Sequence, residues 1–235
     1  MRLTLPVREV IAATPRAVIL MLDLGGQLFP YRAGQAVLLG GADQDERRPY
    51  SIANAPHEAT ATDALELLVG LEFDGTPGPH LPELAPGIRV SVDGPMGTFV
   101  FPDRPEERRF LFVAGGTGIA PLRAMLHEAL ARNIAESISV VYSARTADDF
   151  AYGPELRALA AAGRLTLWQT VTRDAGAQWD GALGRIAVGH LRSMIHDRAT
   201  LCFVCGPHAL VHEVAPLLEQ LGVSPERVRA EDWES

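Results

Sequence analysis

The sequence is short of cysteine, of net positive charge and of long apolar runs, and each shortage removes a class of function. Cys202 and Cys205 are the only two cysteines among 235 residues, too few for a disulfide framework, a four-cysteine iron–sulfur cluster or a four-cysteine structural zinc site within this chain. Their Cys-x-x-Cys spacing suggests a redox dithiol, yet they lie in the apolar, β-prone run Thr200-Leu201-Cys202-Phe203-Val204-Cys205. On a strand, residues three apart point to opposite faces, so the two sulfurs are expected to stand apart. A formal net charge of −8 argues against a sequence-independent grip on nucleic acid, which needs a basic surface to neutralise phosphates. No stretch approaches the roughly eighteen apolar residues of a membrane span. The charged start Met1-Arg2-Leu3-Thr4-Leu5-Pro6-Val7-Arg8-Glu9 lacks the layout of a signal peptide, so a cytoplasmic location is expected. Among the seven histidines, His208 and His212 are four apart, but no carboxylate at a matching position supplies a third ligand. An exposed helix face, and no metal site, is the expectation.

What is present is an ordinary globular composition, 47% apolar and 21% charged, sufficient to bury a core. Over the first hundred residues, β-like runs at 2–9, 17–24, 35–39, 50–53, 65–69 and 89–92 are separated by turns such as Gly25-Gly26 and Asp74-Gly75-Thr76-Pro77-Gly78-Pro79, with no helical segment between them. This pattern predicts a small antiparallel barrel. After the linker-like Phe101-Pro102-Asp103-Arg104-Pro105 the pattern changes. Apolar strands at 110–114, 138–142, 165–171 and 201–205 alternate with helical stretches at 154–162, 188–195 and 208–221, and Leu122, Met125, Leu126, Ala129 and Leu130 mark the buried face of another helix. Such alternation predicts a parallel sheet with helices on both faces. The fold class is therefore two-domain, β followed by α/β: a six-stranded antiparallel barrel over residues 1–104 and a parallel-sheet domain over residues 105–235.

One turn carries its own chemical rationale. The strand Phe110-Leu111-Phe112-Val113-Ala114 runs directly into Gly115-Gly116-Thr117-Gly118, and Pro121 stands where a helix would begin. Glycines allow close approach of a ligand, and the following helix N-terminus offers free N–H groups and positive dipole to a pyrophosphate. The run is neither Gly-x-Gly-x-x-Gly nor a P-loop. Taken alone, it also fits a tight βα turn with no ligand.

Three separated segments, Arg48-Pro49-Tyr50-Ser51, Gly115-Gly116-Thr117-Gly118-Ile119-Ala120-Pro121 and Cys205-Gly206-Pro207, stand in an order and spacing that resembles the ferredoxin–NADP reductase superfamily over essentially the whole chain. The resemblance implies a barrel that binds FAD, with FMN as the alternative. Arg48 would meet flavin phosphate, Tyr50 and Pro49 would line the flavin site, and Ser51 would hydrogen-bond near the hydride-accepting position. Leu68, Val69 and Gly70 would contact the flavin edge. Without their flanking motifs, Tyr50 and Ser51 would read as an ordinary strand aromatic and a solvent-facing hydroxyl. Where the family carries a serine or threonine against the flavin phosphates, this chain has Gly75-Thr76-Pro77-Gly78-Pro79-His80-Leu81, with Gly78 in that place. Anchoring is accordingly expected to shift to Thr76 or His80, and flavin to be held less tightly.

In the second domain the resemblance brings Thr117 to the nicotinamide and Cys205, with Gly206 and Pro207, beside its reactive carbon. A small buried strand residue is the plain alternative for Cys205. Arg145, Thr172 and Arg173 follow strands where adenosine is expected, and the two arginines either hold a 2′-phosphate or are solvated loop residues, with Asp174 weakening the local positive field. Trp233 would gate the flavin face or simply plug the terminus. The implied reaction is hydride transfer from NADH or NADPH to flavin, and electrons then pass to a ferredoxin, an oxygenase component or a small acceptor. The alternatives are a reductase of free flavin, and a nucleotide-sensing or scaffolding subunit without turnover.

Overall fold

The structure, a computed structural model, describes residues 1–81, 84–173, 176, 179–195 and 197–233, the last by its main chain alone. Six strands form the first sheet: β1 (Arg2–Thr14), β2 (Ala17–Asp23), β3 (Ala36–Gly41), β4 (Arg48–Ser51), β5 (Ala64–Gly70) and β6 (Arg89–Met96), ordered β4-β3-β6-β1-β2-β5. Every pairing is antiparallel. A bridge between Ile52 and Leu67 joins the two ends, so the sheet closes on itself as a barrel. Alternating residues explain the closure, because Leu5, Val7, Leu20, Leu22, Val37, Leu39, Leu65, Leu67, Val90 and Val92 all turn into one apolar core.

Two features of this half differ from expectation. Strand β1 does not stop at residue 9 but continues to Thr14, and Pro15-Arg16 turns it into β2. A seven-residue helix, α1 (Pro56–Thr62), lies between β4 and β5, where the sequence suggested none. Its start is fixed by Pro56 in the first turn and by the Glu58 carboxylate, which accepts a 2.8 Å hydrogen bond from the Ala55 N–H.

The second sheet is wholly parallel: β7 (Arg109–Gly115), β8 (Ser137–Ala144), β9 (Thr166–Val171), β10 (Ala182–Leu183), β11 (Leu201–Pro207) and β12 (Val228–Trp233), ordered β10-β9-β8-β7-β11-β12. One face, with Phe110, Phe112, Tyr142 and Phe203, packs on α2 (Ile119–Arg132) and α3 (Gly153–Ala161). The other, with Leu111, Val113, Val141 and Val204, packs on α4 (Val188–Arg192) and α5 (His208–Gln220). Cys205 belongs to the first face and Cys202 to the second, so the dithiol reading fails as the strand period requires. The first core also takes in Ala53, Leu68, Phe99 and Phe101, so apolar packing runs unbroken from the barrel into the parallel sheet.

Candidate functional site at the junction of barrel and sheet

The turn after β7 is built from packed backbones. A Cβ on Gly115 would lie 2.7 Å from Leu210 Cδ1 and 3.0 Å from Pro207 Cδ, and one on Gly206 would lie 3.1 Å from both Cα and N of Gly115. These two glycines are therefore needed because the β7 and β11 turns press together. Gly116 differs: its φ is +54°, and nothing lies within 4 Å of where its Cβ would be. It is the open position in the turn, and its carbonyl is held by a 2.9 Å hydrogen bond donated by the buried Tyr142 hydroxyl. Gly118 is buried and right-handed helical. Pro121 is the third residue of α2, whereas the sequence placed it first. It still falls within the first turn, where N–H groups have no intrahelical partner, so the missing donor costs nothing.

The barrel contributes β4. Arg48 faces two carboxylates, with Nη2 3.4 Å from Glu46 Oε1 and Nη1 3.6 Å from Glu72 Oε1. Tyr50 stacks on His80, and its hydroxyl lies 2.8 Å from His80 Nε2. Burial pushes the Tyr50 phenol up to about 12 and pulls the His80 pKa down, so both are neutral near pH 7. His80 is fully buried, yet its Nδ1 has no hydrogen-bond partner. Gly78, at φ +95°, is in the left-handed region, and a Cβ there would stand 3.1 Å from Arg48 Nη1 and 3.5 Å from His80 Nδ1. Of the two anchoring candidates, Thr76 is engaged locally, its N–H and hydroxyl both donating to Asp74 Oδ1 at 3.0 and 2.8 Å. Gly75 leads into the same turn at φ +81°. Pro49 is exposed on β4, and Ser51 pairs across to Ala36 of β3.

The two halves meet where β5 ends. Leu68, Val69 and Gly70 form its last residues, and a Cβ on Gly70 would touch Thr117 Cγ2 at 3.9 Å. The residues singled out for the flavin edge and for nicotinamide are thus neighbours, although far apart in sequence. Cys205 is completely buried in the same cluster as Leu68 and Ala114, and burial pushes its thiol well up, which disfavours the thiolate. Pairing of β11 with β12 sets Cys205 beside Glu231, Gly206 beside Asp232 and Pro207 beside Trp233. The Trp233 side chain, and with it the gate reading, lies outside the described residues. At the ends of β8 and β9, the Arg173 N–H donates to the Arg145 carbonyl at 2.9 Å and the Thr172 N–H to that of Ala144 at 3.0 Å, with all three candidate side chains exposed. Asp174 lies outside the described residues. Next to these strand ends opens a cleft of about 1060 Å³, lined by residues that include Thr146, Arg157, Trp168, Gln169 and Trp179.

Sequence reasoning missed the clamp across the junction. Arg123 of α2, nearly buried, donates to the Ala53 carbonyl at 3.0 Å and to Glu155 at 2.9 Å, and lies 3.5 Å from Glu58 and 3.9 Å from Glu66. Tyr152 donates to Glu66 at 2.7 Å, and its ring underlies the Arg123 guanidinium. His127 sits between Glu58, at 3.0 Å, and Glu155. Burial lowers its pKa, but hydrogen bonds to Glu155 and Glu58 prevail and raise it to about 9, so it is a cation at neutral pH. No short motif announces this network, because its members come from three helices, one strand and the connections beside them. The histidine reading also needs correction: His208 and His212 do have a carboxylate, Asp232, brought beside them by β12.

Comparison with known proteins agrees with this geometry. Residues 2–101 match the family model for the oxidoreductase FAD-binding domain and residues 112–215 that for the oxidoreductase NAD-binding domain. Ferredoxin–NADP reductase B of Sorangium cellulosum is 32% identical over 221 residues, 89% of this chain and 88% of that protein. The anthranilate 1,2-dioxygenase electron transfer component of Acinetobacter baylyi is 25% identical over 201 residues, 85% of this chain but only 57% of that longer protein. A cytochrome P450 reductase structure from Amycolatopsis superposes with a TM-score of 0.87 at 26% identity, covering 100% of this chain and 70% of the other. The residues fit both cofactors, since the open, left-handed Gly116 leaves room for a phosphate and the buried, unpartnered Nδ1 of His80 offers a polar contact on the flavin side. With both domain models matched in order and a reductase similar end to end, the chain belongs to the ferredoxin–NADP reductase family of flavin- and NAD(P)H-dependent oxidoreductases.

Proposed function

We propose that this protein oxidises NADH or NADPH at a bound FAD, with FMN as the alternative, and passes electrons to a separate acceptor protein such as a ferredoxin or an oxygenase component. The observation that carries this reading is the approach of Gly70 to Thr117, so close that a Cβ on Gly70 would touch the threonine methyl, which brings the end of β5 and the turn after β7 to one place. Bound together there, nicotinamide and flavin supply hydride transfer; the protein supplies position and exclusion of water. Residues 1–104 hold the flavin and residues 105–235 the dinucleotide. Arg48 binds flavin phosphate as a fork of donors, Tyr50 packs along the flavin, and Ser51 donates a hydrogen bond to it. Gly116 and the first turn of α2 take the pyrophosphate, Thr117 orients the nicotinamide, and Arg145 with Arg173 flank the adenosine end. Cys205 closes the floor as a small apolar group.

A second reading has its own support. Glu46 and Glu72 already occupy Arg48, and Pro79 has no N–H to offer a phosphate, which favours a flavin that exchanges freely and is consumed as substrate. The purified protein is expected to show flavin absorption, or to acquire it with added FAD or FMN, and to oxidise NADH or NADPH with ferricyanide as acceptor. Flavin that stays through gel filtration supports the resident cofactor, and flavin lost there but turned over supports the second reading. Absence of oxidation with either nucleotide and either flavin overturns both.

A further inference from the structure

His208 and His212 stand one turn apart on the exposed side of α5, and the pairing of Gly206 with Asp232 sets that carboxylate against them. Nδ1 of His208 lies 2.6 Å from Asp232 Oδ2, Nε2 of His212 lies 3.7 Å from the same oxygen, and the imidazole centroids are 3.9 Å apart. One ligand atom from each side chain lies within 4.8 Å of the others. We propose that His208, His212 and Asp232 form a binding site for a divalent transition-metal cation of the zinc type, with solvent completing its coordination.

The geometry asks little of the protein. Zinc–ligand bonds of about 2.0–2.1 Å in a tetrahedron put ligand atoms roughly 3.3 Å apart. The 3.7 Å separation has to close slightly and the 2.6 Å one to open, both by small rotations of exposed side chains. The hydrogen bond between His208 and Asp232 already holds two ligands together, which limits the ordering cost of binding. Two imidazoles with one carboxylate suit zinc, nickel or copper and disfavour magnesium and calcium, which take oxygen ligands. All three residues are exposed, so a cation reaches them from solvent. The proposal rests on these three side chains alone and stands whether or not the hydride-transfer reading holds.

The test is calorimetric titration of the whole chain, without a polyhistidine tag, using zinc chloride, with magnesium chloride as the control. One zinc per chain is expected, with no heat from magnesium. His212→Ala and Asp232→Asn should each weaken zinc binding by at least about tenfold, no less than the loss of an outer-shell partner costs a metal site. His208→Gln combined with His212→Gln should abolish it, and circular dichroism of each variant verifies the fold. No saturable zinc binding, zinc binding unchanged in the double variant, or one zinc per two chains with dimer on gel filtration would each overturn the proposal.

Discussion

The dinucleotide turn and the flavin strand are held in place by different physics. Around Gly115 and Gly206, two main chains meet at van der Waals distance with Pro207 and Leu210 closing over them, so the turn is shaped by packing before any ligand arrives. Around Arg48 and Tyr50, position depends on half-exposed ion pairs and on one stacked Tyr–His pair that leaves a buried nitrogen unpartnered. A packed turn resists change and its failure is abrupt. A charged, partly open strand adjusts, and under the proposed function its flavin affinity would be set by competition between carboxylates and phosphate for Arg48.

The sharpest way to break the comparison is to cut the clamp that holds the two regions together. Arg123→Ala leaves Glu58, Glu66 and Glu155 clustered without their main cation, and breaking such a buried set costs about 3–5 kcal/mol. Thermal melting should fall accordingly, and a melt within a degree of the parent would refute the clamp. Gly115→Ala comes next: overpacking against Leu210, Pro207 and the Gly206 backbone should cost about 1–3 kcal/mol. Titration with NADH should show affinity reduced by about tenfold or more, while flavin affinity stays within twofold.

On the flavin side, Tyr50→Phe removes the hydrogen bond to His80 and leaves a buried imidazole without a partner at either nitrogen, a loss of about 1–3 kcal/mol. The expected readout is a lower denaturation midpoint with NADH binding preserved; a change in NADH affinity equal to that in stability would erase the distinction between the regions.

The clamp also has a pH signature. The folded His127 value of about 9 stands above that of a free imidazole, so its stabilisation is complete below about pH 6.5 and fades as pH rises through 9. Glu58 behaves oppositely. Burial raises its pKa, but hydrogen bonds from His127 and the Ala55 N–H and the nearby Arg123 charge prevail and hold it at about 2, so its contribution is present above about pH 4.5 and lost as pH falls towards 2. Melting temperature should therefore fall on both sides of a plateau between about pH 4.5 and 6.5, and in His127→Gln the alkaline slope should flatten. The smallest effect is expected for Glu72→Gln, which frees Arg48 from an exposed ion pair worth about 0.2–1 kcal/mol. Flavin affinity, read by fluorescence titration, should rise by no more than about fivefold.

The legible parts of the fold were those with strong period. Alternation marked β6, and mainly apolar runs marked β2, β5, β7, β8 and β11. Helix α1 was hidden because seven residues rich in alanine and threonine carry no apolar stripe. Strand β12 was hidden because Arg229, Glu231 and Asp232 do not look like a strand, and only pairing with β11 makes them one. Within the site, the motif residues were legible individually. The engagement of Arg48 by Glu72, and of Tyr50 by His80, was not, since it depends on the chain after β5 folding back to β4.

The sequence by itself determined the order of a β half and an α/β half, the separation of the two cysteine sulfurs, and the strand–glycine–helix character of the dinucleotide turn. These follow from local rules: side-chain period, backbone freedom at glycine and the ends of helices. Only the tertiary structure decided that Gly70 meets Thr117, that Gly115 is needed for packing while Gly116 stays open, and that Asp232 joins His208 and His212. Each of these contacts spans many residues of chain and is created by strand order and register, which no local pattern encodes.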